Sequence, residues 1–243
     1  MTKKTRKILL GVLGLIVVLC AAFLINSYMA SKNAENAVDE IKEEIVDVKP
    51  DIPIDFDAVW EINEDVIGWI KVEGTEVDYP ILQHPTKDNY YMDHDIEDVQ
   101  AWIPGSIYIN LNNSPDFMDN NTVIYGHNMG NKTMFGTLMD FYTEDFFNEH
   151  SEIIIYTPEH IYTYEIFAAV TYNNKLIPAL YDLDTKSGYQ AFIDSLYETS
   201  SSRNHYTDRE VTTDDKIITL STCTIDHDHN YRFLIGAVLV NEE

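Results

Sequence analysis

The sequence predicts a mostly β fold with α-helices, in which about eight short strands form a closed barrel or a sandwich. From Gly68 onward, short apolar and β-branched runs alternate with turn residues. Two helical segments interrupt them, around Thr133–Phe141 and Ser187–Tyr197, and the second lies between the sixth and seventh runs. With 45% hydrophobic residues, the chain can bury one sizeable core.

The N-terminal residues are predicted to lie outside this domain. Residues 1–7 carry four basic residues and no acid, and residues 8–25 are apolar and uncharged, which sets the bounds of the second predicted segment at 8–26. This pattern predicts a cytoplasmic tail followed by a transmembrane anchor, with the rest of the chain on the extracellular side of the cell membrane. A cleaved signal peptide is the alternative, but the apolar run exceeds the usual core of about 7–15 residues.

Residues 27–55 are predicted to form a helical stalk or linker. Ala34, Val38, Ile41 and Ile45 follow one another at helical spacing, with many acids opposite. Prolines 50 and 53 end this pattern, because proline cannot continue a helix. The globular domain is therefore predicted to span residues 56–243.

The elements of this domain follow from its apolar pattern. A short helix is predicted over Phe56–Ile62. The predicted strands are the runs Trp69–Val72, Val77–Leu82, Ser106–Ile109, Thr122–Tyr125, Glu152–Tyr156, Tyr162–Tyr172, Lys216–Cys223 and Tyr231–Val240.

The charge balance excludes one class of partner. The chain has 41 acidic and 16 basic residues, a net charge of −25. Phosphate backbones are repelled by such a surface, so we expect no nucleic-acid partner. The acidity either keeps the domain soluble or attracts cationic, amine-bearing partners. We expect no cofactor and no metal site.

Cys223 is the residue on which the chemistry depends. It ends the predicted strand Lys216–Cys223, and the other cysteine, Cys20, lies in the apolar N-terminal segment. A disulfide between them is therefore not expected. A lone thiol at a strand end, with histidine and arginine elsewhere, is the minimal equipment for nucleophilic acyl transfer. The alternative is that Cys223 is a small buried hydrophobe.

Arg232 and His127 are the predicted partners of this thiol. If the last two strands pair antiparallel, Cys223 and Arg232 flank the base of the loop between them. His127 follows Gly126 at the end of an apolar strand, and it is the leading candidate among eight histidines. Ser221 and Thr219 share a strand face with Cys223.

These motifs resemble the sortase family. The run Thr219-Leu220-Ser221-Thr222-Cys223 followed by Arg232 is similar to the family signature. The segment Asn121–Met129 with Met134–Leu138 resembles the histidine segment of class B sortases. The resemblance runs from Phe56 to Val240 and includes Asn63–Ile70, Tyr79–Ile81 and Gly105–Tyr108.

The resemblance implies an eight-stranded sortase-type barrel with N-terminal helices and a helix between strands 6 and 7. It implies that the C-terminal sorting signal of a secreted protein is cleaved and held as a thioester on Cys223, and that an amine of peptidoglycan then releases it. Arg232 would stabilise the oxyanion, and His127 would transfer protons. The expected signal is a pentapeptide similar to Asn-Pro-x-Thr-Asn. No cofactor is implied.

Three further residues are candidates for substrate contact. Ser221 and Thr219 either contact the peptide or complete local hydrogen bonds. Tyr231 precedes Arg232, and packing is the alternative role for its ring.

Two other functions are compatible with the sequence. A cysteine hydrolase with water as acceptor would use the same catalytic residues. A metal- or ligand-binding module could instead be built on the loop Asp226-His227-Asp228-His229, because such side chains bind Zn²⁺.

Overall fold

The computed structural model describes residues 19–29, 32–33, 36, 52–100, 104–226 and 228–243. Nine strands form one sheet: β1 Val66–Val72, β2 Asp78–Leu82, β3 Ile107–Ile109, β4 Asn121–Tyr125, β5 Glu152–Tyr156, β6 Ile161–Asn173, β7 His205–Tyr206, β8 Ile217–Cys223 and β9 Tyr231–Glu242. Each of the eight predicted runs overlaps one of these strands, although Val77, Ser106 and Lys216 lie just outside them.

The sheet closes into a barrel of eight strands. Their order is β5-β1-β2-β3-β4-β8-β9-β6, and β6 also pairs with β5. The two-residue β7 pairs only with β6 and lies beside the barrel. The pairs β2–β3 and β4–β8 are parallel, whereas the other pairs are antiparallel. The predicted eight-stranded barrel is confirmed, and the sandwich alternative is wrong.

Helices cover the outside and one end of the barrel. From residue 52 onward, the α-helices of the described residues are α1 Phe56–Ile62, α2 Glu144–Glu149, α3 Ile177–Leu180 and α4 Lys186–Tyr197, and two 3₁₀ turns lie at Tyr90–Met92 and Gly136–Tyr142. Helix α1 has the predicted bounds. Along the chain, helix α4 follows β6 and precedes β8, as the resemblance to class B sortases predicts. Its start is fixed by Thr185, whose hydroxyl accepts from the Gly188 amide.

The predicted helix over Thr133–Phe141 is only partly correct. Lys132 and Met134 adopt positive φ angles of 70° and 53°, which no helix contains. Regular structure therefore begins only at Gly136 and is a 3₁₀ helix.

The core has two main layers, because alternate residues of each strand point to opposite faces. Inward residues such as Ile124, Leu220 and Phe233 fill the barrel. Outward residues such as Val123 and Leu234 pack beneath α4, whose buried residues are Tyr189, Phe192, Ile193 and Leu196.

The predicted membrane anchor is contradicted. Residues 19–29 are helical. Within the described part of the chain, no helix combines the length and apolar character that a bilayer crossing requires. The prediction of a single-pass membrane protein with an extracellular domain is therefore corrected. Residues 1–18, which contain most of the predicted span, and most of the predicted stalk lie outside the described residues.

Candidate active site

Two parallel neighbouring strands deliver the predicted histidine and cysteine to the same end of the barrel. In the β4–β8 pair, Tyr125 aligns with Ser221. Each chain then continues for two residues, to His127 on one side and Cys223 on the other. The Gly126 amide donates to the Ser221 carbonyl at 3.2 Å, which keeps the two chains together beyond the last aligned pair.

The antiparallel β8–β9 pair adds the arginine. Cys223 is the direct partner of Arg232 in the register, as predicted from the sequence. Because side chains alternate along a strand, both residues share the outer face with Ser221 and Leu234. Cys223, His127 and Arg232 line one open cleft and are all partly exposed. The structure thus brings together the three predicted catalytic residues.

The His127 ring is fixed by the backbone of a distant turn. Its Nε2 atom lies 2.7 Å from the Met92 carbonyl oxygen. The carbonyl of His127 accepts from the Phe135 amide at 2.9 Å. The next side chain, Asn128, donates to the Cys223 carbonyl at 3.1 Å. These bonds hold the segment after β4 against the end of β8.

The Arg232 guanidinium carries an uncompensated charge into the cleft. Its Nη1 atom donates to the Tyr231 carbonyl at 2.9 Å. Among the described residues, no carboxylate forms an ion pair with it. An arginine has five N–H donors, so the others remain for a developing negative charge in the cleft.

The three predicted substrate contacts lie in different surroundings. Ser221 is nearly buried and lines the cleft. Thr219 is fully buried, and its hydroxyl donates to Asn121 Oδ1 at 2.8 Å, so it is not a cleft residue. Tyr231 is 47% exposed and lies outside the cleft lining, although its carbonyl holds Arg232.

Two stacked tyrosines form part of the cleft wall, and no motif in the sequence marks Tyr108 as a member of it. The rings of Tyr108 and Tyr125 lie 5.4 Å apart. Burial, followed by the charge of Asp88, raises the pKa of Tyr125 to about 12. Burial also raises the pKa of Tyr108, although the charge of Arg232 acts in the opposite direction. Both hydroxyls are therefore neutral near pH 7, and that of Tyr108 donates to Asn89 Oδ1 at 3.3 Å.

The opposite wall comes from the end of β6. Tyr172 pairs with Arg232 in the β6–β9 register, and residues 173–177 continue along the cleft. Asn174 ties this wall to the loop after the nucleophile, since its Nδ2 donates to the His229 carbonyl at 2.7 Å. No sequence pattern marked these residues, because only the register brings the end of β6 beside Arg232.

The loop Asp226–His229 is the metal-site alternative that the sequence offers. Its His227 lies outside the described residues. Among the rest, no group of three or more His, Cys, Asp or Glu side chains is arranged to hold a metal ion.

Comparison with known proteins agrees with this geometry. The sortase domain family matches residues 70–240, which include every residue of the candidate triad. The chain belongs to the sortase family. Sortase B of Staphylococcus aureus is 34% identical over 169 residues, covering 69% of this chain and 67% of that protein. Sortase B of Listeria monocytogenes is 31% identical over 218 residues, covering 88% and 81%.

Solved structures give the same class. A Staphylococcus aureus sortase B–substrate complex matches with a TM-score of 0.74 at 28% identity, covering 88% of this chain and 99% of that one. The protein is thus a class B sortase, a cysteine transpeptidase whose family acts on sorting-signal peptides. This assignment decides against the metal- or ligand-binding module.

Proposed function

We propose that this sortase cleaves the C-terminal sorting signal of secreted proteins through a thioester on Cys223 and transfers the acyl group to an amine of peptidoglycan. The observation that supports the proposal is the convergence of Cys223, His127 and Arg232 on one partly exposed cleft. We assign the catalytic domain to residues 56–243, which begin with α1 and contain the complete barrel.

The first half of the reaction forms the thioester. The proton of the Cys223 thiol passes to His127, the resulting thiolate attacks the carbonyl carbon of the scissile peptide bond, and negative charge develops on the carbonyl oxygen. Arg232 stabilises this oxyanion with its remaining N–H donors. His127 gives a proton to the leaving amine as the C–N bond breaks. The acyl group is then held on sulfur, while the C-terminal fragment departs.

The second half transfers the acyl group. The acceptor amine attacks the thioester carbonyl, and His127 takes the proton that the amine loses. Collapse of the oxyanion beside Arg232 breaks the C–S bond and releases the Cys223 thiolate, which recovers a proton from His127. Because a thioester keeps much of its acyl-transfer potential, an amine can resolve it with net formation of an amide. The acidic surface, with a net chain charge of −25, favours approach of a cationic amine.

The experiment is a cleavage screen with product analysis. Pentapeptides similar to Asn-Pro-x-Thr-Asn, within longer quenched peptides, are incubated with the protein in the presence and absence of a peptidoglycan-type amine. Mass spectrometry is expected to find the peptide–amine adduct and, with Cys223→Ala, no product. Hydrolysed peptide alone at saturating amine would identify a cysteine hydrolase instead. Cleavage by Cys223→Ala would overturn the mechanism.

A further inference from the structure

The hydrogen bond of His127 to Met92 defines which ring nitrogen is available for chemistry. A carbonyl oxygen only accepts, so the 2.7 Å contact requires that Nε2 carry the proton. In the neutral ring, Nδ1 is then the atom that accepts a proton. Met92 ends the 3₁₀ turn Tyr90–Met92 and lines the cleft. Its backbone oxygen, rather than a side chain, is thus the partner that orients the imidazole.

The position of this oxygen depends on close packing by Gly105. A Cβ atom on Gly105 would lie 2.5 Å from the Met92 carbonyl carbon, and it would also collide with the carbonyl oxygens of Tyr91 and Met92. These are backbone atoms and cannot rotate aside as the end of a flexible side chain can. The φ angle of Gly105 lies outside the left-handed region. Glycine is therefore required here for space and not for an unusual backbone conformation.

The residue after Gly105 attaches the turn to the barrel. The Ser106 amide donates to the Tyr91 carbonyl at 2.8 Å, and its hydroxyl donates to the His94 carbonyl at 3.0 Å. Strand β3 begins directly afterwards and pairs with β4, the strand that leads to His127. The carbonyl that accepts the proton and the ring that donates it are therefore held by adjacent strands.

We propose that Gly105 is a positioning residue for the sortase reaction. By allowing the turn to approach closely, it places the Met92 carbonyl where it holds His127 in the Nε2–H tautomer. Nδ1 is then the atom that exchanges the proton with the leaving and incoming amines. The catalytic consequence rests on the role proposed above for His127, whereas the tautomer and its dependence on Gly105 do not.

The test compares Gly105→Ala with Gly130→Ala. Gly130 lies in the loop after His127, and a Cβ there would meet nothing within 4 Å, so this variant is the matched control. The ¹⁵N chemical shifts of the His127 ring are recorded by NMR at a pH at which the ring is neutral. For each variant, kcat and KM for peptide cleavage and the thermal midpoint of unfolding are also measured. We expect Nε2–H in the wild type and in Gly130→Ala. In Gly105→Ala we expect a mixture of tautomers and at least a tenfold lower kcat, with a smaller change in KM.

Two results would overturn the proposal. One is an Nδ1–H tautomer in the wild-type protein. The other is a folded Gly105→Ala that keeps both the wild-type tautomer and the wild-type kcat. If Gly105→Ala does not fold, the Met92–Asp93 peptide bond is replaced by an ester, which makes the Met92 carbonyl a weaker acceptor. This variant is then expected to show the mixture of tautomers and the lower kcat. Loss of the proposed function itself would be distinguishable, because the wild type would then show the expected tautomer without cleaving any peptide.

Discussion

At the scale of single residues, the geometry of the guanidinium matters more than its charge. Arg232 is held by one bond to the Tyr231 carbonyl, and its planar group presents several further donors to the cleft. A lysine at this position would keep the charge but would present one compact ammonium. We predict that Arg232→Lys lowers kcat/KM at least a hundredfold while the thermal midpoint changes little.

The matched control is Arg203→Lys, which changes an exposed arginine that lies over the Tyr142 ring. Peptide cleavage by this variant should remain within a factor of two of the wild type. Near wild-type turnover of Arg232→Lys would refute the proposed role of the guanidinium.

Thr219 provides a second prediction at this scale. Its hydroxyl donates to the buried Oδ1 atom of Asn121, so Thr219→Val leaves this acceptor without its donor. We expect a loss of about 1–3 kcal/mol in the free energy of unfolding, with KM for the peptide unchanged. Denaturant unfolding and peptide cleavage measure the two quantities. Thr163→Val, at a partly exposed position on β6, is the control and should change stability by less than about 0.5 kcal/mol.

If Thr219→Val instead raised KM and left stability intact, the original prediction of a substrate contact would be restored.

The residue scale also shows what sequence can reveal about this site. Cys223 and Arg232 could be paired in advance, because a strand–loop–strand pattern predicts an antiparallel partner. His127 was found through its glycine and the apolar run before it. The partner of its ring could not be found, because a backbone carbonyl such as that of Met92 carries no signal in the residue type. The wall at residues 173–177 was missed for a related reason, since its place depends on the register of β6 with β9.

At the scale of elements, helix α4 acts as the outer cover of the sheet. Phe192 is fully buried in the layer that contains Phe167 and Val170 of β6. We predict that Phe192→Ala lowers the free energy of unfolding by about 3–5 kcal/mol, because it removes a large buried ring and leaves a cavity. The exposed Tyr197→Ala on the same helix should cost much less. The check is chemical denaturation of both variants.

An equal, small effect of the two substitutions on stability would mean that α4 does not pack as described.

Element prediction succeeded where periodicity was strong and failed where it was short. The long alternating run of β6 and the helical stripe of α4 were both found from their apolar spacing. Strand β7 has two residues, too few to show any period. The segment before Gly136 looked helical, but the positive φ angles of Lys132 and Met134 delay the start of regular structure.

At the scale of the whole molecule, buried tyrosines determine the response to alkali. Burial is the leading cause that raises the pKa of Tyr125 to about 12, and it raises the pKa values of Tyr91, Tyr108, Tyr164, Tyr172 and Tyr189 above the ordinary 10.0. The unfolded chain releases these protons near pH 10, whereas the folded domain keeps them. Stability is therefore fully present below about pH 10 and is lost as the pH rises further.

We expect circular dichroism and tyrosinate absorbance to change together above pH 10, with only the exposed tyrosines titrating beforehand. Ionisation of all 16 tyrosines near pH 10 in a protein with native circular dichroism would contradict this prediction.

The position of β8 between β4 and β9 has a consequence for the newborn polypeptide. Cys223 is made 95 residues after Asn128, the residue that bonds its carbonyl. At a translation rate of about 5–20 residues per second, Cys223 is synthesised roughly 5–20 s after the histidine segment. Until β8 pairs with β4 and β9, the barrel stays open and the His127 ring has no thiol near it. Incomplete chains would thus be unable to attack other proteins while they leave the ribosome.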